Sequence, residues 1–252
     1  MTNSAARAQY ALRLGDDCLV LAQRLGAWAA RAPQLEEDIA LTNIGLDLLG
    51  QARSLLTHAA ELEAAGRDED SLAYLRDERD FLNCQLVELE NGDFARTMAR
   101  QLLFSSYQLE LYRHLTGSRD AVLAAIAAKG VKEVAYHRDH AVQWTLRLGD
   151  GTVESHRRMQ EALDTVWPYR AELFESDELV ESLVALGVAV APGALRSEVD
   201  VFVDGVLAEA TLRRPEGSWA PRGGRRGLHT EAFGHLLAEM QYLPRAHPGA
   251  RW

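Results

Sequence analysis

From Ala8 to about Leu148 apolar residues return every three or four positions, and between Pro33 and Pro168 the chain carries no proline. Proline removes a backbone donor and collides with the preceding turn, so a gap of that length, rich in Ala, Leu, Arg and Glu, predicts long α-helices. The first runs from about Ala8 to Ala30, with Tyr10, Leu14, Leu21, Leu25 and Trp28 near one face, and ends before Pro33. The second runs from about Glu36 to Ala65. Its leading acids, Glu36, Glu37 and Asp38, suit the positive end of a helix, and Gly66 suits the stop. A shorter helix from about Ser71 to Leu89 closes at the Asn91-Gly92 turn. Asp93 then caps a helix to about Leu115, and Ser118 or Asp120 opens another that reaches Leu148.

Beyond Gly151 the helical pattern is more broken, with segments predicted at about 153–174, 176–186, 194–213 and 228–243. Val201 to Leu207 alternates like a strand, yet it lies inside a wider helical pattern from Leu195 to Leu212 and is read as helix. No repeat or composition shift marks a boundary, and the one long irregular stretch is Arg214 to Gly227. The expectation is a single all-α domain over residues 1–252: four long helices able to pack as a four-helix bundle, a short helix in the crossover, and additional C-terminal helices.

Composition narrows the function. With 47% hydrophobic and 25% charged residues the chain is an ordinary globular protein, not a disordered tail or a fibre. Its net charge of −10 has the wrong sign for neutralising nucleic-acid phosphates. Only Lys129 and Lys132 are lysines, so nearly all positive groups are planar guanidinium forks suited to fixed ion pairs. Cys18 and Cys84 lie far apart in apolar periodic stretches, as buried thiols of a reducing compartment do. The longest uncharged stretch, Ser182 to Leu195, is broken by Gly187 and Pro192. No membrane span is expected, and the predicted location is the cytoplasm.

Three helices carry polar rows that are able to face inward: Asn43, Asp47, Gly50 and Ser54 on the second; Gln101, Ser105 and Gln108 on the fourth; Glu133, His137 and His140 on the fifth. In a four-helix bundle such rows suggest a di-iron carboxylate centre, built from one Glu on each of two helices and a Glu-x-x-His pair on each of the others. Residues three apart share a helix face, which is why that spacing grips metal. The pattern is broken here. Gly50 stands three residues after Asp47, Val134 stands three before His137, and Glu110, the acid of the fourth helix, lies off the Gln108 row. Asp47, Gln108, Glu133 and His137 are therefore candidates for a degenerate site whose polar groups bond to one another, with no metal expected. A zinc pair at His137 and His140 lacks the further ligands it would need.

The segment from Arg222 to Glu231 combines glycines with Arg222, Arg225 and Arg226 just ahead of a final amphipathic helix. Read blandly it is a flexible surface loop. Its guanidinium groups also suit phosphates or a partner's carboxylates, so Arg222, Arg225, Arg226, His229 and Glu231 are candidate contacts.

Several blocks of the chain resemble one family. They are the LRLGD run at Leu12–Asp16 with Cys18–Leu21, the block Ile44–Arg53, the run Arg76–Arg79, Asn91-Gly92 with Phe94, Lys132-Glu133 with Tyr136-His137, and the end from Gly227–Glu231 through Ala238–Leu243. In this order, over nearly the whole chain, they are similar to the C subunits of bacterial phenylacetyl-CoA 1,2-epoxidases. The resemblance implies a ferritin-like bundle within a multicomponent monooxygenase of aerobic phenylacetate breakdown. It further implies that a homologous A subunit holds the di-iron centre and takes the CoA thioester, that a reductase supplies electrons from NADPH, and that the C subunit is a metal-free support for A. The rival readings are a self-sufficient di-iron oxygenase using Asp47, Glu133 and His137, and a ferritin-like binding protein for a CoA ester.

Overall fold

The computed structural model describes residues 3–250, whose regular elements are all helices, with no strand among them. They fall into two compact units, one formed by residues 3–90 and 223–250 and the other by residues 91–222.

In the first unit α1 (Asn3–Gly26) and α2 (Leu35–Glu63) pack as an antiparallel pair. The Ser4 hydroxyl donates to the carbonyl of Leu62 near one end, and Gly45 lies against Leu25 near the other. Gly15 lets the helices approach, because a Cβ there would sit 2.9 Å from the Leu56 side chain. The α1–α2 turn is fastened by Asp38, whose carboxylate accepts the Ala30 N–H at 2.9 and 3.1 Å. α2 ends three residues before Gly66, the predicted stop, with Ala64 itself in the left-handed conformation. α3 (Glu69–Tyr74), α4 (Gln85–Glu88) and α10 (Glu231–Ala246) complete this unit.

The helix predicted from Ser71 to Leu89 does not form as one piece. It breaks into α3, a 3₁₀ turn at Glu78–Asp80 and α4. Helix requires each N–H to reach back four residues, but the N–H of Leu82 is donated to Asp16 and that of Cys84 to Asp17, both at 2.8 Å. Buried aspartates on α1 thus compete successfully for the backbone donors of this segment.

In the second unit α5 (Phe94–Leu115) and α6 (Ala121–Gly149) form the long pair. Asp93 caps α5 as predicted, its carboxylate accepting the Arg96 N–H, and of the two residues offered for α6, Ser118 and Asp120, it is Asp120 whose carboxylate accepts the N–H groups of Val122 and Leu123. α5 is buried on almost every side between Ala95 and Tyr112. α7 (Val153–Val166) continues from Trp167 to Phe174 as 3₁₀ turns, since Pro168 lacks the N–H that an α-helix would use. α8 (Glu178–Ala185) and α9 (Pro192–Glu209) follow, and Val201–Leu207 is helical as expected.

Candidate functional site

Among the described residues of the first unit, three charge pairs with a buried carboxylate each join α1 or α4 to a segment distant in sequence. Arg76 makes a two-pronged contact to Asp16, with Nη1 at 3.0 Å from Oδ2 and Nη2 on Oδ1. Arg225 does the same to Asp17 at 2.9 and 2.7 Å, and its Nη1 also donates to the carbonyls of Arg13 and Leu82. Burial pushes the Asp17 carboxyl above its ordinary value of 3.8, against the lowering pull of the Arg225 charge.

The third pair is His229 with Glu88, both side chains fully buried. Nδ1 of His229 lies 2.7 Å from Glu88 Oε2 and Nε2 lies 2.9 Å from the Phe81 carbonyl. A carbonyl can only accept, so Nε2 donates to Phe81, and beside the Glu88 carboxylate the geometry favours the doubly protonated ring, in which Nδ1 donates as well. Burial pulls its pKa down, and the hydrogen bond and charge of Glu88 more than offset this, leaving it above 6.5. Glu88 further accepts from Asn83 at 2.8 Å and from the Thr230 N–H, at the start of α10, at 2.5 Å. Its carboxylate therefore sits at the positive end of that helix.

These contacts place the predicted contact residues. Arg225 and His229 are spent inside the chain, gripping Asp17 and Glu88. The glycines around them are structural: Gly227 has φ +71°, and a Cβ on Gly224 or Gly227 would run into the carbonyl of Asn83 or Arg79. Arg222 is exposed and paired with Glu175 at 2.7 Å, while Arg226 and Glu231 are exposed. Sequence reading missed Asp16, Asp17, Arg76 and Glu88, although two adjacent acids in an apolar helix were a signal that buried charges needed partners.

The degenerate-site candidates divide between the units: Asp47 belongs to the first, and Gln108, Glu133 and His137 to the second. The polar row of α2, able by its spacing to face inward, is at most half-buried: Asn43 and Ser54 are exposed, Asp47 and Gly50 half-buried. On α5 the row is buried, with Gln101, Ser105 and Gln108 each about 2% exposed. Ser105 donates to the Gln101 carbonyl at 2.6 Å, and the Gln108 amide donates to the Tyr112 hydroxyl at 3.3 Å. His137 is buried on α6, and Glu133, one turn before it, lies 3.5 Å from Lys129.

Tested against a di-iron centre, this donor set does not fit. Two iron ions need several carboxylates, yet the buried row of α5 offers amides and a hydroxyl. Glu110, the acid of α5, is held by Arg113 at 2.7 Å and Arg138 at 3.0 Å, so two guanidinium groups stand where cations would have to bind. Among the described residues no group of three or more His, Cys, Asp or Glu side chains is placed to hold a metal ion. None of the described helices is long and apolar enough to cross a membrane.

Residues 1–252 match the family described as phenylacetic acid catabolic protein. A relative from Escherichia coli (strain K12), the C subunit of 1,2-phenylacetyl-CoA epoxidase, is 51% identical over 243 residues, covering 96% of this chain and 98% of that protein.

Proposed function

The chain belongs to the phenylacetic acid catabolic protein family, and from that premise we propose that it is the non-catalytic structural subunit of a multicomponent phenylacetyl-CoA 1,2-epoxidase. In this reading it scaffolds the homologous di-iron A subunit during aerobic phenylacetate degradation, in the cytoplasm, alongside further oxygenase components that include an NADPH-dependent reductase. It carries no cofactor of its own. The observation that carries the proposal is the buried row of α5, where Gln101, Ser105 and Gln108 offer neutral groups and Glu110 is tied to two arginines. The E. coli relative is named as one subunit of an epoxidase, which supports a place in an assembly.

The physical contribution of such a scaffold is preorganisation. A rigid helical neighbour holds the partner's helices in geometry, so less conformational freedom is lost when substrate binds. The test is metal analysis of the chain purified alone and again with its A subunit, with turnover of phenylacetyl-CoA measured beside the reductase. The expected result is an iron-free, inactive lone chain and an iron-bearing, active complex. Two irons on the lone chain would overturn the proposal and make Asp47, Glu133 and His137 ligands of a self-sufficient oxygenase. Tight CoA-ester binding by the lone chain would instead favour a small-molecule binding protein.

A further inference from the structure

α2 has two apolar faces. One is the core face, with Leu41, Ile44, Leu48, Ala52 and Leu55 each about 1% exposed or less. The other lies on the opposite side and is open: Leu35 is 71% exposed, Ile39 55%, Leu46 59% and Leu49 43%. With Thr42 and Arg53, also exposed, they follow the spacing i, i+4, i+7, i+11, i+14, i+18, which is the seam one helix presents to another. At 1.5 Å per residue the apolar part of the seam is about 21 Å long. Scattered exposed leucines are common on a globular protein, but an ordered row of four on one helix face is a patch that marks an interaction surface.

Two further features say what covers it. At its C-terminal end the seam runs into an open cavity of about 310 Å³, lined by Leu19, Leu49, Leu56, Ala73 and Tyr74 and rimmed by Arg53, Glu69 and Asp70. That is room for one large side chain of a partner beside the seam. The charges around the face are acidic. Glu36 and Asp38 stand in the first turn of α2 and Glu69 and Asp70 at the other end, and Arg53, the one guanidinium among the residues that line the cavity, is already paired with Glu69 at 3.2 Å. A second copy of this chain would bring the same acids to the same ends in either direction, and each copy carries a net charge of −10.

We propose that the outer face of α2, from Leu35 to Arg53, docks an amphipathic helix of a different chain, one with an apolar seam, a bulky anchor side chain for the cavity, and Arg or Lys on its flanks. Resting on the scaffold reading above, the inference assigns that helix to the A subunit. Burial of the seam supplies the attraction, and the acidic ends set register and exclude self-pairing.

The experiment measures binding of the purified chain to the A subunit by titration calorimetry, with oligomeric state followed by light scattering. Ile39→Asp/Leu46→Asp changes two solvent-exposed positions, and its circular dichroism and melting temperature check that it folds. Val153→Asp, at a residue 90% exposed in the other unit, is the control. The expected result is a loss of affinity of tenfold or more (roughly the scale of removing anchor residues) for the double variant and none for the control. Glu36→Lys/Asp70→Lys should also weaken binding, and a photo-crosslinker at position 46 should capture the A subunit. Equal binding by wild type and folded double variant overturns the α2 assignment while leaving the scaffold reading intact. A wild-type dimer made monomeric by the double variant, with A-subunit binding unchanged, assigns the face to a second copy and also overturns it. Tighter binding after charge reversal overturns the basic-flanked partner. If wild type does not bind the A subunit, the scaffold reading fails and the inference falls with it.

Discussion

Arg225 and Asp17, separated by 208 residues in sequence, meet in a two-pronged ion pair whose Nη–Oδ distances are 2.9 and 2.7 Å. The pair ties the glycine-rich segment near the C-terminus to α1, and through the carbonyls of Arg13 and Leu82 the same guanidinium fastens two further backbone segments. An arginine-rich loop that reads as an outward-facing grip is, at its central residue, an internal fastener.

Arg225→Ala leaves the Asp17 carboxylate buried without its partner. The expected cost is about 3–5 kcal/mol at neutral pH, measured by urea unfolding. Asp17 already holds its proton more tightly in the fold than its ordinary 3.8, and loss of Arg225 raises it further. The variant's penalty should therefore shrink as pH falls toward 4, where the carboxyl becomes neutral. A penalty that does not change with pH would contradict this account of the pair.

Arg222→Ala and Arg226→Ala should behave differently. Both side chains are exposed, and the Arg222 pair with Glu175 is a surface one, so each change should alter stability by less than about 0.5 kcal/mol. The two variants thus isolate the outward arginines, and their affinity for the A subunit and for a CoA ester can be measured without a folding defect.

His229 ties stability to pH in the opposite range. Its folded pKa lies above the unfolded 6.5, so the pair with Glu88 contributes fully below that pH and is lost as pH rises through the folded value. The urea midpoint of the wild type should fall as pH is raised above about 6.5. In Glu88→Gln this decline should be largely absent, and the His229 ring resonances followed by NMR should titrate at lower pH than in the wild type.

Gly227→Ala forces a side chain onto a backbone with φ +71° and against the carbonyl of Arg79. A destabilisation of about 1–3 kcal/mol is expected. Hydrogen exchange should quicken first in residues 79–84 and 223–230, the segments that this glycine lets meet. Gly217→Ala is no control because φ there is +147°, whereas Gly50→Ala, in open space on a helix, should be neutral or mildly stabilising.

Local physics made most of the fold legible in the sequence. The proline-free stretch and its helical period determined the long helices, and carboxylates at Asp93 and Asp120 determined where two of them begin, because capping acts within one turn of the cap. The ordered blocks from Leu12–Asp16 to Ala238–Leu243 carried the family resemblance, which the match over residues 1–252 bears out. Tertiary structure decided what local pattern could not. The helix predicted from Ser71 to Leu89 yields because Asp16 and Asp17, more than 60 residues away, take its backbone donors. Periodicity showed that α2 has a polar row but not which way it turns, since burial depends on what packs against the helix. The same holds for Arg222, Arg225 and Arg226: three identical side chains within five positions have different roles, because only one of them faces a buried carboxylate.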